Sequence, residues 1–240
     1  MDEKIFIEDR KNLKNILEDS NSKNRFILNF INSHDLYQFV KEPLFKSAIL
    51  EKENINFLDG FIISLYISIK KMKKIQRLMG PNFTINLLNS NFSKNKKSLF
   101  IGIEREDLEK LFKNFKNLNQ KKTFSYNPLY IQSLTFPDNE INKISKIINN
   151  KKIDIVWVGI GCPKQNILVK ELIKKTKNKY FFNVGAGIDF ALGKKKRAPG
   201  FFQKIGLEWI YRLITDFKTT KKKVLRSLIA LKYLKNINTK

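Results

Sequence analysis

Short apolar runs alternate with helical patterns along this chain, and that alternation limits its fold more than any other feature. Residues 26–31, 55–58, 83–88, 98–103, 153–158 and 180–184 are runs of four to six residues, mostly apolar, as strands buried on both faces tend to be. Between them, residues 105–117 and 140–149 repeat their apolar positions at steps of three and four, the spacing of one helix face. The pattern predicts an α/β chain with a largely parallel sheet covered by helices. With 240 residues, 42% of them apolar, the chain can build one such domain and a modest appendage.

In sheets of this Rossmann-like kind, ligands bind beyond the carboxyl ends of the strands, so the loops there carry the functional signal. Three stand out. Asp59-Gly60 follows the run at 55–58, Gly159-Ile-Gly-Cys-Pro-Lys-Gln165 follows 153–158, and Gly185-Ala-Gly-Ile-Asp-Phe190 follows 180–184. Gly159 and Gly161 precede a helix expected to start near Pro163, where exposed backbone N–H groups can hold a phosphate. A dinucleotide fingerprint needs a third glycine at position 164, where this chain has Lys164, so a standard NAD site is not supported. Gly185 and Gly187 repeat the same Gly-x-Gly spacing. Locally, each residue keeps a plain alternative. On local sequence alone Asp59 reads first as an Asp-Gly turn, while Asp189 also reads as a helix cap and Arg77, before Gly80-Pro81, as one more charge on a solvated face.

Composition removes several classes. Cys162 is the single cysteine and His34 the single histidine. That excludes a disulfide framework and a multi-cysteine zinc site, and leaves a catalytic triad only His34 as its imidazole. The amino terminus is charged and lacks the apolar run of a signal peptide, and no stretch reaches the roughly 20 apolar residues of a spanning helix. The chain is therefore expected in the cytosol or lying on a membrane.

The net charge is +25, which invites a nucleic-acid reading. However, lysine, asparagine and isoleucine are abundant throughout, so part of the excess is a solvated face. The charge concentrates after Leu192, where residues 193–240 hold fourteen Lys or Arg against Glu208 and Asp216. We divide the chain there, into a catalytic body at 1–192 and a basic helical appendage at 193–240. From Glu208 to Leu234, Trp209, Leu213 and Phe217 form one apolar stripe and Val224, Leu228 and Leu231 the next, with Lys218 and Lys221 to Lys223 between them. Such a helix can lie in a headgroup plane or pack on the body.

Several of these segments, in their order and spacing, resemble the WecG/TagA/CpsF family of glycosyltransferases. They are Asp154-Ile-Val-Trp-Val-Gly-Ile-Gly-Cys-Pro-Lys-Gln165, Val184-Gly-Ala-Gly-Ile-Asp-Phe-Ala-Leu-Gly193, Lys196-Arg-Ala-Pro199 and Gly206-Leu-Glu-Trp-Ile-Tyr-Arg212. Asn32-Ser-His-Asp-Leu36, Phe57-Leu-Asp-Gly60 and Ile75-Gln-Arg-Leu-Met-Gly80 extend the resemblance through the first half. Asn166 departs from it, standing where the family commonly has Glu, and so does Asn127-Pro-Leu-Tyr130.

The resemblance implies transfer of an N-acetylmannosamine-type hexose from a UDP-sugar to a polyprenyl-diphosphate-linked sugar, with inversion and without a metal or other cofactor. It implies Asp59 as general base, Arg77 as a diphosphate contact, and Asn32, Gln165 and the glycines 159, 161, 185 and 187 as substrate-binding groups with Asp189. It also implies Arg197 and Arg212 as appendage residues near the leaving group. An anionic membrane surface is the implied partner, nucleic acid is not, and homo-oligomer formation stays open. The competing readings are a basic nucleic-acid-binding module, which would interleave exposed aromatics with its basic residues, and a nucleotide-sugar-binding protein without catalysis.

Overall fold

The computed structural model describes residues 3–18, 25–178, 180–204, 208–215 and 217–239; the side chains of 203, 204, 209, 212, 218, 219 and 239 lie outside that description. Its strands are β1 (Ile5–Ile7), β2 (Phe26–Ile31), β3 (Asn54–Leu58), β4 (Ser98–Ile101), β5 (Thr123–Tyr126), β6 (Ile155–Val158), β7 (Tyr180–Asn183) and β8 (Ile237–Thr239). They form one sheet in the order β5-β4-β6-β7-β2-β3-β1-β8, and every pairing is parallel. All the carboxyl ends therefore open on the same edge.

The connections are helical. After β1 comes α1 (Leu13–Glu18); α2 (Ser33–Lys41) and α3 (Pro43–Ile49) join β2 to β3. Next, α4 (Phe61–Lys70), α5 (Gly80–Leu88) and α6 (Asn91–Lys94) join β3 to β4, followed by α7 (Arg105–Asn114), α8 (Asp138–Lys151) and α9 (Lys164–Lys175) in the later crossovers. Past β7 the chain runs through α10 (Gly187–Ala191), α11 (Gly200–Lys204), α12 (Glu208–Thr215) and α13 (Phe217–Ala230) before reaching β8.

The central strands are buried along their whole length, as expected where helices cover both sides of a parallel sheet. Strand β2 shows how its side chains divide. Phe26, Leu28 and Phe30 enter the cluster beneath α5 and α7, whereas Ile27 and Ile31 face the helices α2, α8 and α9. The first cluster is aromatic at its centre. Trp157 stacks on Phe100 at 5.6 Å between ring centroids and meets Phe182 edge-on at 4.9 Å, geometries that rings favour beyond simple burial.

Two expectations are corrected. Residues 83–88 are not a strand but the last six residues of α5, because Gly80 and Pro81 open a helix and Phe83, Thr84, Leu87 and Leu88 are buried at helical spacing. The apolar stripe from 208 to 234 is not one helix. It is α12, α13 and a 3₁₀ turn at Leu231–Asn236, and α13 lies on α2, with Arg226 over the Tyr37 ring at 5.6 Å and Ala230 in the core. Beyond it, β8 adds to the sheet beside β1, with Ile237 opposite Ile5. The outer faces of this segment leave Ile214, Phe217, Leu225 and Leu231 exposed. Trp209 falls among the side chains outside the description.

Candidate active site

The carboxyl ends of β2, β3, β6 and β7 open into a cleft of about 740 Å³, ample for a nucleotide-sized ligand. Its walls come from the loops after those strands and from the start of α5. Across the mouth it is bounded by α12 and α13, which contribute Glu208, Tyr211, Lys223 and Leu228.

Asp59 sits where β3 ends. Its N–H and that of Gly60 both donate to the carbonyl of Ile31, at 2.9 and 3.1 Å, which fixes the turn against the end of β2. A Cβ on Gly60 would meet Asn32 Cα at 3.0 Å, so the loops after β2 and β3 touch there. This Asp-Gly pair joins a strand to α4 at the cleft edge. Opposite, the Arg77 guanidinium lies over the Phe61 ring at 5.3 Å.

Asn32 is the N-cap of α2. Its Oδ1 accepts from the N–H groups of His34 and Asp35, while the Asp35 carboxylate accepts from the Asn32 N–H at 2.9 Å, a reciprocal capping box. The amino termini of α2, α4, α5 and α9 all reach the cleft, and Gly60 and Met79 place no side-chain cap on α4 or α5. Helix starts aim unpaired N–H groups and the positive end of the helix dipole at a ligand, an arrangement that favours anions. Lys194, Lys195, Lys196 and Lys223 add charge of the same sign to the walls, although Lys194 is paired with Asp107 at 2.5 Å.

In each Gly-x-Gly loop one glycine turns the chain and the other lets two segments close. Gly161 and Gly185 have φ of +88° and +51°. A Cβ on Gly159 would strike Ile188 at 2.6 Å, and one on Gly187 would strike Thr84 Oγ1 at 2.6 Å.

A row of buried amides lies under the cleft floor. Asn183, Asn29 and Asn56 occupy one register across β7, β2 and β3. Asn29 Oδ1 accepts from Asn183 at 2.8 Å and from Asn166 of α9 at 2.9 Å, while its Nδ2 donates to Asn54 and Asn56. Gln165 Nε2 donates to the Asn183 carbonyl at 3.3 Å. Gln165 Oε1, Asn166 Oδ1, Asn183 Oδ1 and His34 Nδ1 are buried and make no hydrogen bond within the described chain, and His34, Gln165 and Asn183 are cleft residues. Buried polar atoms of this kind require a ligand or water as partner. Sequence reading missed Asn183 and Asn29 because asparagine is common everywhere in this chain. Asn166, a departure from the family pattern, proves to be a member of the row.

Three groups here are electrostatically shifted. Burial pushes the Asp35 carboxyl up to about 6, and burial with the nearby Lys223 and Arg226 holds His34 down near 4. The Cys162 thiol donates to Asp35, and desolvation pushes it well above its usual range, which leaves it without thiolate character. Among the described residues, no three of His, Cys, Asp and Glu group as a metal site would require.

A family model described as glycosyl transferase, WecG/TagA/CpsF family, matches residues 8–239. The chain belongs to that family. Curated relatives include proteins of Staphylococcus aureus named N-acetylglucosaminyldiphosphoundecaprenol N-acetyl-beta-D-mannosaminyltransferase. The one from strain MRSA252 is 37% identical and that from strain NCTC 8325 / PS 47 is 36% identical, each over 81 residues, or 34% of this chain. The aligned stretch spans about a third of the relatives' own length, 32%.

Of the residues that the WecG/TagA/CpsF motifs single out, the cleft gathers Asn32, Asp59, Arg77, Gly161, Gln165, Gly185 and Gly187. Three others stand behind its walls. Gly159 packs on Ile188; Asp189 pairs with Lys195 at 2.8 Å; and Arg197 reaches Glu208 at 3.3 Å, Asn82 at 2.8 Å and the face of the Phe190 ring. Asp189 is not the cap of α10, since Ala186 holds that position. Arg197 joins α5 to α12 and holds Glu208, itself a cleft residue. Arg212 lies on α12, with its side chain outside the described residues.

Proposed function

We propose that this chain transfers an N-acetylmannosamine-type hexose from a UDP-sugar to a polyprenyl-diphosphate-linked sugar during the synthesis of a cell-surface polysaccharide or teichoic-acid-type polymer. The observation that carries the reading is the pairing of Asp59 with four helix amino termini in one basic cleft. A carboxylate can take a proton from an acceptor hydroxyl, while the helix starts, Arg77 and lysines receive the charge of a departing diphosphate. The names of the S. aureus relatives supply the sugar types and the lipid-linked acceptor.

In this reaction the acceptor oxygen bonds to the anomeric carbon, the bond from that carbon to the diphosphate breaks, and UDP leaves with the electron pair. The acceptor proton passes to Asp59. One displacement from the face opposite the leaving group inverts the anomeric centre. Gln165 and Asn183, with their unpaired carbonyl oxygens, are suited to accept from hydroxyl or N–H groups of the donor. The test is purified protein with a panel of UDP-sugars and a synthetic polyprenyl-diphosphate N-acetylglucosamine. Absence of transfer from every donor, with the protein folded and binding UDP, would leave a binding protein without catalysis.

This scheme needs no metal, because Arg77, the lysines and the helix starts receive the charge of the diphosphate. Activity is expected to survive excess EDTA in the same assay, which would strip any hard-cation site held by one or two carboxylates. Dependence on Mn²⁺ or Mg²⁺ restored by add-back would overturn it.

We assign residues 193–240 two roles, completing the cleft and resting on the membrane at its cytoplasmic face. Glu208, Tyr211, Thr215 and Lys223 support the first by their places on the cleft wall, and the exposed apolar residues of α12 and α13 support the second. No helix among the described residues is long and apolar enough to cross a membrane. Deleting this segment would also remove β8 and the face of α13 on α2, so point substitutions are the cleaner probe.

A further inference from the structure

Helix α4 is buried on one side only. Ile63, Ser64 and Ile67 face the core, whereas Phe61, Ile62, Leu65 and Ile69 fall on the opposite side, at steps of one, three and four. Phe61 and Ile62 lie in the cleft wall. Further along, Leu65 is 50% exposed and Ile69 69%, and just past the helix Met72 is 96% exposed on a turn with φ of +49°. One apolar stripe thus runs from the cleft to a projecting methionine.

Along the chain, the charge flanking this stripe has a single sign. Lys70, Lys71, Lys73 and Lys74 surround Met72 and are exposed, and no Asp or Glu occurs between Asp59 and Glu104. After the turn, the chain returns to the cleft at Arg77 and Gly80. Isolated exposed hydrophobics are ordinary, but an apolar stripe ringed by lysines is the pattern of a segment that rests in a lipid headgroup layer.

We propose that α4 and the 70–74 turn form a membrane-docking wedge, in which Leu65, Ile69 and Met72 enter an anionic bilayer while the four lysines meet its headgroups. The wedge is separate from α12 and α13 and stands whether or not the transferase reading is right. It would fix the cleft opening against the bilayer, with Phe61 and Ile62 continuing the apolar path from lipid to Asp59. Lysines near an anionic surface contribute individually small attractions that add, and salt weakens them.

The test uses the full chain with vesicles of phosphatidylcholine and phosphatidylglycerol, free of any polyprenyl lipid. Compared with the parent, Leu65→Ser/Ile69→Ser/Met72→Ser is expected to need at least about 10-fold more lipid for half-maximal sedimentation, since three exposed apolar side chains lose their burial. Lys70→Gln/Lys71→Gln/Lys73→Gln/Lys74→Gln should lose most of the difference between anionic and purely zwitterionic vesicles. Ile214→Ser/Phe217→Ser/Leu225→Ser reports the appendage separately. In Met72→Trp, fluorescence beyond that of the parent should shift to the blue and be quenched by brominated lipid. UDP binding and the melting temperature should stay unchanged in all of them. Any of three results with vesicles would overturn the wedge: parental vesicle binding by the serine variant, no quenching of Met72→Trp when the protein is fully bound, or binding that appears only after polyprenyl phosphate is added, which would make the stripe a prenyl-chain track. A lipid-free dimer by sedimentation velocity that the serine variant dissociates would also overturn it, assigning the stripe to a second copy of the chain.

Discussion

Asp59→Asn is expected to keep the fold and UDP binding and to lose about 10²- to 10⁴-fold in transfer rate, the usual contribution of a positioned general base. The substitution is nearly isosteric, and the N–H groups of Asp59 and Gly60 that hold the turn to the Ile31 carbonyl are backbone groups, untouched by it. What changes is basicity, because an amide cannot accept the acceptor's proton. The loss should therefore appear in kcat at saturating donor, while the rise in melting temperature produced by UDP stays as in the parent. A substitution that merely loosened the loop would lower both together. Turnover within a few-fold of the parent by a folded Asp59→Asn chain would remove the carboxylate from the mechanism and favour a base supplied elsewhere in the cleft.

The sheet was legible where strands are buried on both faces, because full burial writes a nearly continuous apolar run. Strands β2, β4, β6 and β7 carry that signature. The run at 83–88 misleads for the same reason, since six apolar-rich residues fit a buried helix as well as a buried strand. Gly80-Pro81 was the local sign that could have decided it. Strands β1 and β8 are three residues each and exist because of pairing across more than two hundred residues of chain, with Ile5 against Ile237. Nothing local in Ile-Asn-Thr specifies an edge strand. The edge strand β5 is only partly buried and shows correspondingly little apolar run.

The loops after the strands were legible as the lining of a cleft because ligands of parallel sheets bind beyond the carboxyl ends of the strands. Their roles were less so. Asp189 and Arg197 stand near the cleft but turn to Lys195 and to Glu208 and Asn82, contacts that depend on where α10, α5 and α12 cross. Conversely, Asn29, Asn56 and Asn183 become one hydrogen-bonded row only through parallel register, which no local window contains.

The adjacent His34 and Asp35 should oppose each other in the pH dependence of stability, and single substitutions should expose each one. Asp35 lies near 6 in the folded chain against an ordinary 3.8, so the folded state binds the extra proton. Its stabilisation is complete below pH 3.8 and is lost as pH rises through about 6. His34 lies near 4 against an ordinary 6.5, so its neutral form is the folded form. Its contribution is complete above pH 6.5 and is lost as pH falls through about 4. Each shift of two units or slightly more corresponds to about 3 kcal/mol, and over the shared window the two run in opposite directions. In the parent they nearly cancel. His34→Gln, which keeps an amide acceptor for Gln38, should leave Asp35 alone and make stability fall by about 3 kcal/mol from pH 4 to pH 6.5 relative to the parent. Asp35→Asn, which keeps an acceptor for the Asn32 N–H, should do the reverse and lose stability as pH falls across the same range. Lys223 of α13 acts on both groups, disfavouring the imidazolium and favouring the carboxylate, while Arg226 acts on the imidazole, so neither substitution removes the lysine's influence from the residue that remains. Urea unfolding at pH 4.5 and 6.5 reads the difference directly, with each variant compared against the parent so that other carboxylates drop out. If both variants follow the parent across this range, Asp35 and His34 do not carry opposed protonation in the folded chain.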